Sequence, residues 1–344
     1  MKTKTAEKFN KITIALAASY GVKSVSEQFN VEPSTEQKLY DAVYESAEFL
    51  TRINTALVDD LVGASVIMRV DGGVTGRAGV ETDDNAERQT TDVSALDNRE
   101  YRCYPVECDV HMAWVKMDQW AKFPDFHTRY RNHVKQAIAL DIIKIGFHGT
   151  SAANKTNKST NPMLQDVNIG WFELVRRDAP ENAISNGGSV KIGVHADADY
   201  QNLDQAVHDL VQGIPLEKRI GLVAIVGSDL LADDKSKLYA AQAEKPTEKT
   251  KIEIEQVIGT YGSLKAYQVS FFPPRGIMVT SFDNLSHYIQ SGSTRISTEN
   301  NTKKKRVEDY QSRNDCYYVE DLEKIQFIES NSVQLYNAKA DSWE

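Results

Sequence analysis

The chain has 344 residues, 41% hydrophobic and 26% charged, close to the average of soluble globular proteins. Forty Lys and Arg against 49 Asp and Glu leave a net charge of −9, which argues against a protein whose main task is gripping nucleic-acid phosphates while still allowing a container for nucleic acid. The longest apolar runs, such as Leu222 to Val226, fall far short of the roughly 20 residues that cross a bilayer, and three cysteines (Cys103, Cys108, Cys316) are too few to staple a chain of this size.

Residues 1 to 30 carry five lysines but no continuous apolar stretch of the secretory kind, so the chain is expected to stay in the compartment where it is made. Phe9, Ile12, Leu16 and Tyr20 recur at helical spacing before Gly21, which predicts a short basic amphipathic helix. Pro33 then disfavours helix at Glu32. Ser34 is a candidate cap, with Gln37 three residues on as its capping-box partner. The helix expected from there places Leu39, Val43, Leu50 and Ile53 on one face and Lys38, Asp41, Glu45 and Glu48 towards water, as an arm set apart from the main body.

Five glycines lie between Gly63 and Gly79. The stretch from Asp71 to Glu100 holds eight carboxylates against three arginines, too little apolar content for a core of its own. Val66 to Val70 reads as a strand, and Val106, Cys108, Val110, Met112 and Trp114 alternate with polar or small residues. The simplest arrangement is a long hairpin of these two strands with a flexible tip. Pro124 in a first turn, Asp125 at the N-terminal dipole, and apolar residues from Phe126 through Ile145 predict one helix of ~35 Å that stops at Gly146 and Gly149.

Leu164, Val167, Trp171 and Leu174 suggest a shorter helix, followed by a turn near Asn186 to Gly188. From Tyr200 to about Tyr288 the texture becomes that of an inserted α/β lobe, with helices around Leu203 to Leu210 and Asp229 to Ala243. Its strands are Leu222 to Val226, Leu264 to Phe272, Ile277 to Thr280 and Leu285 to Gln290. Strand-like alternation around Tyr317, Val319, Ile325 and Phe327 closes the chain.

Catalytic and ligand-binding patterns are weak throughout. The glycines at 72, 73, 76 and 79 lack the Gly-Lys-Ser/Thr of a phosphate cradle. Gly227-Ser228-Asp229-Leu230 has a leucine where a nucleophile elbow needs its second glycine, so Ser228 reads as a helix cap. Cys103 and Cys108 face opposite ways on one strand, and His127 and His133 lie on opposite sides of the long helix, so no metal or other cofactor is expected. Lys303-Lys304-Lys305-Arg306 is the strongest charge run. It fits a solvated turn, a nucleic-acid contact, or a contact with the acidic Asp71 to Glu100 segment of a neighbouring copy.

Longer strings carry a resemblance. Val31-Glu32-Pro33-Ser34, Phe49-Leu50-Thr51-Arg52-Ile53-Asn54, Asn161-Pro162-Met163-Leu164-Gln165-Asp166-Val167 with Gly170-Trp171, Val226-Gly227 with Leu230-Leu231-Ala232-Asp233, Asp283-Asn284-Leu285-Ser286 and Tyr317-Tyr318-Val319-Glu320-Asp321 run in order along nearly the whole chain. They resemble the major capsid proteins of P2-like tailed bacteriophages.

The resemblance implies an α+β HK97-like capsid fold with these parts: a removable segment at 1–30, an N-terminal arm at 31–60, an E-loop region at 61–115, a P-domain with its spine helix at 116–199, an A-domain at 200–288, and closing P-domain strands at 289–344. It further implies a non-enzymatic virion protein assembled in the bacterial cytoplasm as hexamers and pentamers. The implied partners are an internal scaffold with a protease, a portal, and double-stranded DNA held without sequence preference. Trimming would fall near Phe29 and Asn30. Two other readings stand beside it: an encapsulin-like compartment of the same fold, and a cytosolic hydrolase using Ser228 with a histidine.

Overall fold

The computed structural model describes residues 1–70, 94–120, 123, 126–185, 188–242, 259–337 and 341–343. The expected hairpin tip, Pro124 with Asp125, the Asn186-Gly187 turn and the end of the helix at Ala243 lie outside the described residues.

In chain order, α1 (Thr3–Tyr20) ends at Gly21, whose φ of 67° is the left-handed conformation that glycine adopts without a Cβ penalty. β1 (Phe29–Asn30) leads to α2 (Pro33–Tyr44). Here Pro33 occupies the first turn, and no side chain caps the helix. Ser34 is therefore inside α2 and not its cap, because Glu32 takes the extended capping position and Pro33 has no N–H to satisfy. The helix stops at Tyr44, and turns carry Phe49, Leu50 and Ile53 into the core.

β2 (Asn54–Val58) and β3 (Val62–Val70) follow, then β4 (Ser94–Arg102), β5 (Tyr104–Glu107), β6 (Val110–Ala113) and α3 (Trp114–Trp120). The long helix is α4 (Phe126–His148), succeeded by α5 (Trp171–Asp178), β7 (Ala183–Ile184) and β8 (Val190–Ile192). Next come α6 (Leu203–Gln212), β9 (Val223–Val226), α7 (Ser228–Gln242), β10 (Thr260–Tyr261), β11 (Leu264–Tyr267) and β12 (Ile277–Thr280). The chain closes with β13 (Leu285–Gln290), β14 (Arg295–Asn301), β15 (Arg306–Val319), β16 (Gln326–Ile328), β17 (Val333–Asn337) and β18 (Ser342–Trp343).

Two sheets organise the body. The larger runs β1-β14-β15-β13-β2, with β5 and β6 also pairing to the long β15; the smaller runs β10-β11-β9-β12-β16-β7. β13, expected in the inserted lobe, belongs to the larger sheet, where it pairs antiparallel with β15 and parallel with β2. The hairpin also differs from expectation. β3 pairs with β4, Val62 opposite Arg102 through Val70 opposite Ser94, whereas β5 and β6 pair with β15. Alternation along 106–114 identifies strands but carries no information about their partner.

The larger core surrounds Trp171, which is wholly buried, donates its indole N–H to the Ser286 carbonyl at 2.9 Å, and meets the rings of Phe49, Phe147 and Tyr317. α4 passes so close that a Cβ at Gly146 would stand 2.3 Å from the Trp171 ring. Gly146 is accordingly a contact point inside the helix and not its stop. Leu164 and Val167, expected in the next helix, sit in turns ahead of α5, and Leu164 has a φ of 60°. A second core packs α6 against β9 and β12 through Ala206, Val207, Leu210, Ala224 and Val279.

Candidate functional site

Lys303 to Lys305 form the tip of the β14–β15 hairpin, which closes at Asn301 opposite Arg306. Lys305 has a φ of 52°, and the Lys304 N–H donates to the Asn301 side chain at 3.0 Å, so local turn chemistry sets the tip. The four cations are not equivalent. Arg306 pairs with Glu308 at 2.5 Å, and Lys304 approaches the same oxygen at 3.7 Å. Hydrogen bonds from Asn301, Tyr310 and Arg306 hold the Glu308 carboxyl down to about 2. Lys303 and Lys305 are exposed, without an ion pair among the described residues, and form the outward charge of the tip. Most of the acidic segment proposed to meet them lies outside the described residues.

Phe29 and Asn30 make up β1 at one edge of the larger sheet, opposite Ile296 and Arg295. They are held extended, with Asn30 exposed. The preceding α1 lies over α2, α4 and the sheet, where Leu16 and Tyr20 line a cavity of about 160 Å³ with Leu39, Val43, Val134 and Ile296, and with Arg131, Lys135, Asp309 and Arg313 among its polar walls. The seat of α1 is thus incompletely filled.

β3 and β4 form a two-stranded sheet by themselves. The Cys103 N–H, donating to the Leu61 carbonyl, continues their ladder at the base, and Arg99, which donates to the Glu320 carbonyl at 2.5 Å and stacks over Tyr318, ties them to the body. An isolated two-stranded ribbon is marginal in water, so this one gains its stability from what lies alongside it.

Ser228 is the first residue of α7, and its hydroxyl bonds to Asp229; no hydrogen bond among the described residues joins it to a histidine. Its expected capping role passes to Gly227, whose carbonyl accepts from Leu231. His133 is exposed, and the His127 side chain is outside the described residues. Among the described residues no group of three His, Cys, Asp or Glu could hold a metal ion.

Sequence reasoning missed a buried polar network that fixes α2 to the sheet. The wholly buried His287 takes the Tyr44 hydroxyl on Nδ1 at 2.9 Å and faces Asp315 through Nε2 at 3.3 Å. With Tyr44 donating, Nε2 carries the proton towards the carboxylate. Burial pushes the His287 pKa down despite Asp315. Burial alone would raise Asp315, but Arg313, bonded to it at 2.7 Å, and His287 hold it below its ordinary value. Nearby, Glu36 of α2, also wholly buried, accepts the N–H groups of Gly292 and Thr294 at 2.7 and 3.1 Å. No sequence motif links positions so far apart; a glutamate on the apolar side of α2 was the one visible signal.

Comparison with known proteins covers almost the whole chain. Residues 8–331 match the model of the family described as phage major capsid protein, P2 family. The capsid protein of Escherichia phage P2 is 34% identical over 336 residues, covering 93% of this chain and 92% of the relative. The major capsid protein of Serratia phage KSP20 is 31% identical over 315 residues, covering 89% and 90%. Among solved structures, a chain of the satellite phage P4 procapsid that includes the size determination protein superposes with a TM-score of 0.70 at 32% identity, covering 87% of this chain and 99% of that one. The capsid of an empty GTA particle shares the fold, with a TM-score of 0.52 at 16% identity over 82% and 89%.

Proposed function

Because this chain belongs to the P2 family of phage major capsid proteins, we propose that it closes as hexamers and pentamers into an icosahedral shell around double-stranded phage DNA. In the assigned parts, 1–30 is the removable segment, 31–60 the arm, 61–115 the E-loop region, 116–199 the P-domain with α4 as spine, 200–284 the A-domain and 285–344 the closing P-domain strands, the last boundary moved back from 288 because β13 pairs with β15 and β2. The single observation that carries this reading is the family match over residues 8–331 of an α+β chain whose β3–β4 ribbon stands apart from both sheets. A ribbon of that kind is stabilised by burial against neighbouring copies, and many modest interfaces together hold a shell.

Assembly takes place in the host cytoplasm on an internal scaffold that includes a protease, with a portal at one vertex. The net charge of −9 suits packaged DNA, since a strongly cationic wall would grip phosphates and hinder both entry and release. The protease cuts near Phe29 and Asn30. Extended, edge-located backbone is what a protease cleft accepts, and the loosely filled seat of α1 lets the released segment leave. Lys303 and Lys305 meet the acidic segment of a neighbouring copy.

Expression with and without the neighbouring gene products, followed by electron microscopy and sedimentation, tests the reading. Closed shells are expected when scaffold and protease are present. Monomers and small oligomers under every condition would overturn it. Mass spectrometry of mature particles should find the new N-terminus near Asn30; an intact Met1 would refute the trimming.

A further inference from the structure

Cys103 joins β4 to β5 at the base of the ribbon, and Cys316 lies near the C-terminal end of β15. Tyr104 pairs opposite Asp315, so one further antiparallel step places Cys103 opposite Cys316. Opposed residues of antiparallel strands stand roughly 4.5–5.5 Å apart at Cα, inside the roughly 4.4–6.8 Å that a disulfide spans. The two sulfurs face each other at 3.5 Å as free thiols, both buried in a small cluster with Tyr288 and Tyr318. Cys108 does not compete. It packs against the larger core, with its sulfur 3.4 Å from the Arg313 guanidinium. Arg313 and Cys316 are three apart on β15 and so point to opposite faces of the sheet.

We propose that Cys103 and Cys316 are a modification site: an intramolecular disulfide forms between them, by exchange with a small-molecule disulfide, once the chain leaves a reducing compartment. One thiolate attacks the external disulfide, releasing a small thiol and leaving a mixed disulfide on the protein. The second thiolate then attacks that protein sulfur and displaces the second small thiol. Two protein thiols are oxidised and one external disulfide is reduced to two thiols. The bond ties the base of the ribbon to the centre of the larger sheet and fixes the angle at which the ribbon leaves the body. The bond itself follows from the geometry of one chain; its timing, after particles leave the host, rests on the capsid reading.

The pair is protected while closed. The hydrogen bond from Cys103, together with burial, raises the Cys316 pKa, so oxidation is slow at neutral pH and accelerates as pH rises. The closed loop spans 213 positions, which makes the constraint on the unfolded chain large.

The test exposes the purified full-length protein to oxidised glutathione overnight, removes the oxidant, unfolds the protein in guanidinium with iodoacetamide, and maps the peptides by mass. The proposal expects a Cys103–Cys316 linked peptide with Cys108 alkylated. It also expects an unfolding midpoint raised on the order of 5–10 °C, returning to the starting value with dithiothreitol. Cys108→Ser should keep the link, while Cys103→Ser and Cys316→Ser should each abolish it. Alkylation of all three cysteines after oxidation, or a link through Cys108, overturns the proposal without the variants being needed. Repeating the map on shells and on dispersed chain separates the two claims: a link in dispersed chain alone supports the bond and contradicts its timing.

Discussion

The body around Trp171 and His287 and the ribbon β3–β4 solve the burial problem in opposite ways. In the body, rings close around one indole and the charges that fix α2 to the sheet are partnered: Asp315 has Arg313 and His287, and Glu36 has two backbone N–H groups. The ribbon has nine-residue strands and, among the described residues, no third strand. A body with partners for these charges can be rigid before assembly, whereas a lone two-stranded ribbon is marginal in water and, on the proposed capsid reading, takes its order from neighbouring copies.

The largest expected effect comes from breaking the body. Trp171→Ala removes the side chain at the centre of the larger core and should destabilise the chain by roughly 3–5 kcal/mol in denaturant melts. Of similar size is Arg313→Met, which takes the one permanent cation away from the buried Asp315 carboxylate and leaves it only the hydrogen bonds of His287 and Asn168. A loss of roughly 3–5 kcal/mol is expected, and Arg313→Met with Asp315→Leu should recover part of it. Glu36→Ala leaves the Gly292 and Thr294 N–H groups without their acceptor, for roughly 1–3 kcal/mol, read as earlier proteolysis of the arm.

The next effect depends on pH. His287 has a folded pKa below its unfolded value, so its contribution is fully present above the unfolded pKa and is lost as pH falls towards the folded one. Melts of the wild type should therefore weaken as pH drops below about 6.5, and His287→Gln should flatten that part of the profile. Smallest for stability, and most informative about the periphery, is Lys303→Glu with Lys305→Glu. Both side chains are exposed, so the unfolding free energy should stay within about 0.5 kcal/mol while assembly slows and loses its salt dependence. Unchanged assembly would remove this tip from the contacts.

Legibility in the sequence followed the same division. Periodicity located α1, α4 and α6, and unbroken apolar runs located β9 and β12, whose residues are buried on both faces between the two cores. It misassigned the partner of 106–114, since alternation marks a strand and only register across two hundred residues says that β15 receives it. Gly146 looked like punctuation because the indole that demands it is 25 positions away in sequence. The network of Tyr44, His287, Arg313 and Asp315 could not be read at all: its members come from α2, β13 and β15, and only the fold makes them neighbours. The basic tip was visible as charge, but Glu308, which neutralises part of it, became relevant only when the β14–β15 turn set Arg306 beside it.

The most direct measurement is hydrogen exchange followed by mass spectrometry, comparing the dispersed chain with closed shells. Peptides spanning Val62–Val70 and Ser94–Arg102 should exchange rapidly in the dispersed chain and become protected in shells, while those of α4, α5 and β13 stay protected in both. Equal protection of the ribbon in both states would contradict the account, because the ribbon would then owe its order to its own chain and not to its neighbours.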